Sequence, residues 1–368
     1  MSRERQFFAT LGFASRYQYG PRATQNRMSI TGGRFQRHAR AFIWGSVLML
    51  VLAGSATMAQ QGDQGSLELE KRVPLGTVLG RIDHLAVDLV RKHLFIAELE
   101  NNSVGVVDLG NGSLLHRISG LSEPQGVGYV PLVDMLFVAN GGDGMVRMFR
   151  GGDFTPMGQQ ALDSDADNIR FDAETARVYV GYGAGALAVI DPVTRLKIKD
   201  IALPAHPESF QISRSTRQIF INLPNAGSIV VLDQEGGAPR ATWPTAKDQG
   251  NFAMALDEEN HRVVVVYRNP GKLSVRDMRD GAVIADPDTC GDVDDVFVDP
   301  RRQRVYVTCG EGFIDVFNVR AGYARFARIA TRRGARTSLF LPALDRLAVA
   351  VRASGNEPAE LWIYRPLP

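Results

Sequence analysis

The sequence predicts an all-β fold, a seven-bladed β-propeller with four antiparallel strands in each blade and a ring closed by the N-terminal strand. Three observations support this prediction. One β-branched segment occurs seven times at steps of 41 to 44 residues, over more than two thirds of the chain. Short apolar segments separated by turn residues surround every copy, which is typical of all-β domains. Four strands in a repeat of about 42 residues correspond to one propeller blade.

The seven copies occupy the same place in seven equivalent units. Each unit has a polar start, a short apolar strand, a polar turn, the β-branched strand, a loop of Gly, Asn or Asp, a third strand and a more variable fourth strand. The β-branched segments are HLFIAEL from His93, MLFVANG from Met135, RVYVGYG from Arg177, QIFINLP from Gln218, RVVVVYR from Arg262, RVYVTCG from Arg304 and RLAVAVR from Arg346. This spacing predicts a single domain over residues 60–368.

The two ends of this domain each lack a pairing partner. The last unit stops after the segment ELWIYRP and has no fourth strand, while LELEKRVPL at residues 67–75 precedes the first unit. We expect these two segments to pair, because pairing closes the ring and removes an exposed sheet edge.

Residues 1–59 are predicted to be a basic leader and a signal peptide, outside the fold. Eight Arg and one Glu precede the uncharged run AFIWGSVLMLVLAGSA, and Met28 is an alternative start of the same signal. Small residues at Thr57 and Ala59 predict cleavage after Ala59 and a periplasmic or secreted location. An N-terminal membrane anchor is the alternative, although the run is shorter than the roughly 20 residues of a spanning helix.

The charge balance gives no reason to expect a nucleic-acid partner. The whole chain has a formal charge of +2, but the residues after Ala59 contain 34 basic and 39 acidic side chains. The basicity therefore belongs to the leader and not to the domain. We expect the locally basic segment at residues 324–336 to be a solvated outer strand. After cleavage we expect a monomer without a membrane span.

The units resemble a known repeat family. The segments RVYVGYG…ALAVIDPVT and HLFIAEL…SVGVVDL are similar to the YVTN-type, or YncE-like, seven-bladed propeller repeat over roughly residues 67–368. This resemblance implies an exported bacterial protein, and it implies no particular reaction. The repeated Trp-Asp dipeptide of WD40 blades, the paired glycines of kelch blades and the tryptophan-docking repeats of quinone-dependent dehydrogenases are absent from the sequence.

Polar strand starts are the candidate functional feature. The first strand of a propeller blade is innermost, so seven strand starts meet at one mouth of the central channel. The segment SDADN at residues 164–168 is such a start, and Asp and Asn are otherwise depleted in strands. Aligned starts are Asp83, Gln125, Asp167, Glu208, Phe252, Asp294 and Arg336. The predicted ligand-binding residues at the mouth are Asp83, His84, Glu123, Gln125, Asp165, Asp167, Asn168, His206, Glu208, Asn251, Asp292, Asp294, Asp295 and Arg336.

Three interpretations of this mouth are open. With neutral histidines, eight carboxylates face two arginines, Arg81 and Arg336, which concentrates negative charge. The polar residues are then turn caps in a hydrated channel, a site for a small polar or cationic ligand, or a site for a divalent cation. Carboxylate and amide oxygens suit Ca²⁺ or Mg²⁺, and histidines beside a carboxylate suit a transition metal. The candidate metal ligands are Asp83, His84, Asp167, His206, Glu208 and Asp294.

The sequence favours a binding module that presents this mouth to a small ligand or to a protein partner. The alternative is a metal-dependent hydrolase or lyase of the lactonase kind, with a divalent cation that polarises a carbonyl and activates water. No Gly-x-Ser-x-Gly segment and no zinc-type spacing of Cys or His supports an enzyme. The loops between second and third strands also reach this face, but their Gly and Asn residues are those that tight hairpins require.

Cys290 and Cys309 are the two cysteines of the chain. Export to an oxidising compartment permits a disulfide, and antiparallel pairing about the turn at residues 300–303 brings both cysteines to one end of the sixth blade. The alternative is a pair of buried thiols.

Overall fold

The computed structural model describes residues 65–245 and 250–368, which form seven four-stranded antiparallel sheets. The seven sheets are the blades of one ring, so the predicted all-β, seven-bladed propeller is confirmed. The predicted leader and signal peptide lie outside the described residues. Within the described part of the chain, no helix combines the length and the apolar character needed to cross a membrane.

The first three blades follow one another along the chain. Blade 1 comprises β2 (Leu85–Asp88), β3 (His93–Glu98), β4 (Ser103–Asp108) and β5 (Ser113–Ser119). Blade 2 comprises β6 (Pro124–Val130), β7 (Met135–Asn140), β8 (Met145–Arg150) and β9 (Pro156–Ala161). Blade 3 comprises β10 (Ile169–Asp172), β11 (Arg177–Tyr182), β12 (Ala186–Ile190) and β13 (Lys197–Ala202).

The remaining blades repeat this order, except that blade 7 takes its outer strand from the start of the domain. Blade 4 comprises β14 (Phe210–Ser213), β15 (Gln218–Leu223), β16 (Ser228–Asp233) and β17 (Ala241–Pro244). Blade 5 comprises β18 (Asn251–Asp257), β19 (Arg262–Arg268), β20 (Gly271–Asp277) and β21 (Val283–Ala285). Blade 6 comprises β22 (Val293–Asp299), β23 (Arg304–Cys309), β24 (Phe313–Asn318) and β25 (Ala324–Ala330). Blade 7 comprises β26 (Thr337–Leu341), β27 (Arg346–Val351), β28 (Glu360–Pro366) and β1 (Leu67–Pro74).

Three short 3-10 turns connect strands in the described residues. They are Leu99–Asn101, Pro131–Val133 and Pro224–Ala226.

The second strand of every blade is buried on both faces. Each begins at the first residue of the repeated segment, as predicted. In β3, Leu94 and Ile96 pack towards blade 7, while Phe95 and Ala97 pack towards blade 2. Because successive side chains of a strand point to opposite faces, burial on both sides explains the unbroken β-branched and apolar sequence of these strands.

The hydrophobic cores lie between the blades. Seven clusters of buried residues are present in the described chain, and each one joins two neighbouring blades. The cluster between blades 7 and 1 includes Val73, Leu75, Ile96 and Ala348. Every blade therefore depends on both of its neighbours to bury its apolar faces.

The N-terminal strand closes the ring, as predicted. β1 pairs antiparallel with β28, from Leu67 opposite Pro366 to Pro74 opposite Glu360. Glu70 adds ion pairs at 2.9 Å to Arg365 and at 2.5 Å to Arg346. The innermost strand of blade 7, β26, also contacts β2, the innermost strand of blade 1. The inner strands of the first and last blades therefore meet where the ring closes.

The turns on the side opposite the strand starts are capped by carboxylates. At the end of the first strand, Asp88 accepts the backbone N–H of Val90 at 2.9 Å, and Asp299 accepts that of Arg301 at 3.1 Å. The last turn residue before each second strand has a left-handed backbone with φ between 49° and 58°, and none of the seven is glycine. These residues are Lys92, Asp134, Ala176, Arg217, His261, Gln303 and Asp345.

Cys290 and Cys309 form a disulfide in blade 6, with their Cα atoms 5.8 Å apart. Both cysteines are buried in the core between blades 5 and 6. The bond ties the segment before β22 to the end of β23.

Candidate functional site

A polar cavity of about 360 Å³ lies at the mouth where the first strands begin. We call it the mouth cavity. It is lined by Arg81, Asp83, His84, Gln125, Asp165, Asp167, His206, Glu208, Asn225, Phe252, Arg268 and Asp294. Six of the seven aligned strand starts are among these residues, and the seventh, Arg336, binds Asp294 through Nε at 2.6 Å. The blade repeat thus brings together side chains that are about 40 residues apart in sequence.

Three acidic residues that precede the strand starts have a backbone reason to be there. Glu123, Asp165 and Asp292 adopt left-handed φ values of 47°, 43° and 55°, and the equivalent positions in blades 5 and 7 are Gly250 and Gly334. Asp and Gly tolerate this conformation better than most residues do. Of the three acidic residues, only Asp165 lines the mouth cavity. The turn interpretation therefore accounts for the presence of Glu123, Asp165 and Asp292 before the strand starts.

Asp83 and His84 form the first polar group inside the mouth cavity. Oδ1 of Asp83 lies 2.8 Å from Nδ1 of His84, and Oδ2 accepts a hydrogen bond of 3.3 Å from Arg81. Burial alone would raise the pKa of Asp83, but the contact with His84 and the charge of Arg81 lower it. Burial alone would lower the pKa of His84, but the carboxylates of Asp83 and Asp167 raise it to about 9.

Asp167 lies between two imidazoles. Its Oδ1 is 4.0 Å from Nδ1 of His84, and its Oδ2 is 4.0 Å from Nε2 of His206. The side chain is only 10% exposed, and Oδ1 accepts no hydrogen bond from the described residues. Nδ1 of His206 is held by the carbonyl oxygen of Gly183 at 2.7 Å. Burial opposes the charge of His206, but Asp167, Gly183 and the nearby Asp165 raise its pKa to about 9.

The opposite wall is a group of alternating charges. Asp294 is bound by Arg268 on one side and by Arg336 on the other. Arg336 also donates a hydrogen bond of 2.6 Å to Asp292. The guanidinium of Arg268 lies 3.5 Å from the ring centroid of Phe252, a cation–π geometry. Burial and the charge of Arg336 lower the pKa of Arg268 to about 10.

Glu208 is the carboxylate of the mouth cavity whose negative charge has the fewest partners nearby. Among the described residues it has neither a hydrogen bond to its carboxylate nor a cation within 4.0 Å, whereas its backbone N–H donates to the carbonyl of Asn222 at 3.0 Å. Burial and the negative charge of Asp167 raise the pKa of Glu208 to about 7, against the smaller effects of His206 and Arg268. A carboxyl group of this kind changes protonation near neutral pH.

The charge of the mouth cavity differs from the sequence expectation. The predicted negative excess rested on neutral histidines, whereas the raised pKa values of His84 and His206 make both imidazoles cationic at neutral pH. Arg268, which was not in the predicted set, adds a further cation. The lining of the mouth cavity thus contains five carboxyl groups and four basic groups.

Several predicted residues lie outside this lining. Asn251 is fully buried, and its amide donates to Oδ1 of Asn222 and to the carbonyl of Ser228 at 3.1 and 3.0 Å. Asn168 is buried below the mouth cavity. Asp295 accepts the backbone N–H of Ser338 at 2.7 Å, so it joins blade 6 to blade 7.

Arg268 lines the mouth cavity and was not predicted from the sequence. It is the last residue of β19, and second strands end at the same face at which first strands begin. A charged residue that ends an otherwise apolar strand was the available signal.

The candidate metal ligands do not assemble into a metal site. Among the residues that the structure describes, no three His, Cys, Asp or Glu side chains come together as metal ligands would. Asp83 and Asp294 pair with guanidinium or imidazole groups instead. In the described chain, these two carboxylates are therefore engaged by protein cations.

Comparison with known proteins identifies the fold and no family. No protein-family model and no curated protein matches the chain. Among solved structures, the chain is similar to Kuenenia stuttgartiensis Hydrazine Synthase, with a TM-score of 0.65 and 16% sequence identity over 79% of this chain and 95% of that one. At this identity the likeness shows the propeller fold alone.

Proposed function

We propose that this protein is a binding module that holds a small polar ligand in the mouth cavity. One observation carries the proposal: Oδ1 of Asp167 is buried in the cavity wall and accepts no hydrogen bond from the described residues. Buried polar atoms are normally hydrogen-bonded, and an unpaired one costs free energy. A ligand that donates a hydrogen bond to Asp167 would remove this cost.

The lining supports a ligand that donates hydrogen bonds. Asp167 and Glu208 offer carboxylate oxygens, while Gln125 and Asn225 add neutral amides. These acceptors favour a molecule rich in hydroxyl or amine groups. The cavity volume of about 360 Å³ is within the usual range for small-molecule sites. A concave recess of this size suits a small ligand better than a flat protein surface, so we place the small ligand before a protein partner.

The turn interpretation does not account for the inner carboxylates. Asp88 and Asp299, on the opposite face, accept backbone N–H groups. Asp83 and Asp294 instead contact side-chain cations. A polar ligand in the cavity can form hydrogen bonds with ion pairs that face it.

We also propose that the module works outside the cytoplasm and belongs with the YVTN-type propellers. The basic and apolar segments of residues 1–59 support export. The buried disulfide between Cys290 and Cys309 supports an oxidising compartment. The seven-unit repeat supports the resemblance, and none of these features assigns a reaction.

A ligand screen tests the proposal. The purified domain is mixed with polyols, sugars, amines and amino acids, and the melting temperature is followed by calorimetry of any hits. We expect at least one hydroxyl- or amine-rich compound to raise the melting temperature, because a ligand that binds only the folded state stabilises it. Asp167→Asn keeps the shape of the side chain but weakens the acceptor, and it should reduce affinity about tenfold or more.

Glu123→Gln is the matched control, since Glu123 is an exposed carboxylate at the same mouth that does not line the cavity. It should leave the affinity unchanged. Equal losses in both variants would contradict the proposal, as would a screen without hits. Ca²⁺, Mg²⁺, Mn²⁺ and Zn²⁺ form a separate arm, and a melting shift with one of them would favour the metal site instead.

A further inference from the structure

A second cavity, of about 440 Å³, lies in the central channel beyond the mouth cavity. We call it the channel cavity. Residues of the innermost strands of all seven blades line it. Two residues after His84 and its equivalents, the inner strands form one ring of aligned positions. This ring consists of Ala86, Gly128, Arg170, Gln211, Ala255, Phe297 and Leu339.

Arg170 is the one charged residue of this ring. Among the described residues, its side chain makes a single hydrogen bond, from Nη1 to the carbonyl oxygen of Ile169 at 2.8 Å. No carboxylate oxygen of the described residues lies within 4.0 Å of its guanidinium, whereas Arg81, Arg268 and Arg336 at the mouth all have such a partner. The remaining N–H groups of Arg170 have no acceptor in the described chain.

Asp295, the acidic residue in the lining of the channel cavity, does not form an ion pair with Arg170. Asp295 lines the same cavity, but its Oδ2 accepts the backbone N–H of Ser338. Burial raises the pKa of Asp295, which favours its neutral form, and the charges of His84 and Arg170 act against this effect. Burial lowers the pKa of Arg170, and Asp295 and Asp167 only oppose that change from a distance. A partly buried guanidinium without a carboxylate partner is stabilised by an anion that enters the cavity.

The channel cavity has both polar and apolar walls, and its polar lining residues include His84, Gln211 and Asp295. Tyr129, Phe171, Phe297 and Leu339 contribute aromatic and aliphatic surface. The small residues at other ring positions, such as Ala86 and Gly128, leave the free volume. A guanidinium in a cavity with this aromatic and aliphatic part of the wall fits a carboxylate with a small apolar body, because a guanidinium binds a planar carboxylate in a two-pronged geometry. His84 also lines the channel cavity, but its Nδ1 lies 2.8 Å from Oδ1 of Asp83. Arg170 is therefore the lining cation without a carboxylate partner among the described residues, and one such cation suits a monocarboxylate better than a phosphate dianion.

We infer that the channel cavity is a second binding site, in which Arg170 binds the carboxylate of a small monocarboxylate whose apolar body packs against Phe171, Phe297 and Leu339. This site adjoins the mouth cavity at His84, which lines both cavities, and it takes an anionic ligand, whereas the mouth cavity is proposed to take a hydrogen-bond donor. It does not depend on the function proposed for the mouth cavity.

Titration calorimetry with sodium benzoate and sodium butyrate tests the inference on the domain at constant ionic strength. We expect one binding site in the wild-type protein. Arg170→Gln should abolish binding, and Arg170→Lys, which keeps the charge but loses the two-pronged geometry, should weaken it about tenfold or more. Arg240→Gln is the control, because Arg240 is an exposed arginine paired with Asp233 outside the channel. Its removal should leave benzoate binding unchanged.

The inference is overturned if neither acid binds up to about 10 mM, or if Arg170→Gln binds as the wild type does. Displacement of benzoate by equimolar phosphate or chloride would also overturn it, because a general anion site would then explain the binding. If Arg170→Gln fails to fold, Arg170→Lys decides, since undiminished affinity in that variant would contradict the two-pronged contact. None of these outcomes bears on ligand binding in the mouth cavity, so either proposal can be wrong while the other holds.

Discussion

Aspartates at the two faces of the ring have different partners. Asp88 and Asp172 accept backbone N–H groups and fix turns. Asp83 and Asp294 contact guanidinium or imidazole groups in the mouth cavity. In the sequence, both kinds of aspartate lie next to a short apolar strand. The repeat therefore predicts where such a residue lies. The partners of Asp83 are its sequence neighbours Arg81 and His84, whereas those of Asp294, Arg268 and Arg336, come from other blades and are not encoded nearby.

Glu208 should make stability depend on pH. Its pKa is about 7 in the folded protein, against an ordinary value of 4.5. The folded state thus holds the proton more tightly, and stability falls as the pH rises from about 4.5 to about 7. The loss is at most about 3 kcal/mol. Glu208→Gln removes the titration, so it should be more stable than wild type at pH 7.5 by up to this amount and nearly equal to it at pH 4.5.

Denaturant unfolding at the two pH values measures this difference. Glu123→Gln serves as the control, because its carboxylate is exposed outside the mouth cavity. A Glu208→Gln variant that is no more stable than wild type at pH 7.5 would show that Glu208 has a compensating partner.

At the scale of elements, the turns before the second strands hold seven non-glycine residues in left-handed conformations. Such a backbone costs an L-residue roughly 1 kcal/mol or more. The uniform second strands made these turns easy to locate in the sequence. Their backbone conformation was not predictable, because polar residues such as Lys92 and Gln303 do not mark it as glycine would.

Ala176→Gly should stabilise the protein. Ala176 has φ 53°, and glycine removes the steric cost of this conformation while adding entropy to the unfolded chain. We expect a net gain of about 0.5 kcal/mol in the free energy of unfolding. Ala173→Gly in the same turn is the control, since Ala173 lacks a positive φ and the change there should destabilise. The same sign for both changes in denaturant unfolding would contradict this account.

The disulfide of blade 6 should contribute measurably to stability. It closes a loop of 19 residues between Cys290 and Cys309, which corresponds to about 3 kcal/mol in the chain-entropy model. Unfolding curves with and without reductant should differ by this amount in the wild type. A Cys290→Ala, Cys309→Ala double variant should be insensitive to reductant, and a wild type that is equally insensitive would show that the bond adds no stability.

At the scale of the whole molecule, the repeat made the fold predictable. Seven β-branched strands at a constant step fixed the number of blades, and the unpaired strand at residues 67–75 indicated how the ring closes. The site was predictable only as a set of positions. Against the effect of burial, the pKa of His84 is raised mainly by its sequence neighbour Asp83. The raised pKa of His206 and the pairing of Arg268 with Asp294 depend instead on contacts between blades that no local pattern records.

Removal of β1 should open the ring. Deleting residues 65–75 takes Val73 and Leu75 out of the core between blades 7 and 1 and exposes the edge of β28. We expect a loss of about 5 kcal/mol, because each buried aliphatic side chain contributes roughly 1.5–3 kcal/mol. Calorimetry should show a lower melting temperature, and a peptide of residues 65–75 should restore it in part. A scrambled peptide that restores it equally well would contradict specific strand pairing.

The pairing of Leu67 with Pro366 has a consequence for chain connectivity. The two ends of the propeller lie side by side, so a short linker could join them, and new termini could be cut between any other two blades, for example between residues 203 and 204. Such a circular permutant keeps all seven shared cores and only moves the join to another blade. It should fold to the same ring, with a melting temperature close to that of the parent. The order of the blades around the ring is then required by the fold, whereas the blade at which the chain begins is not.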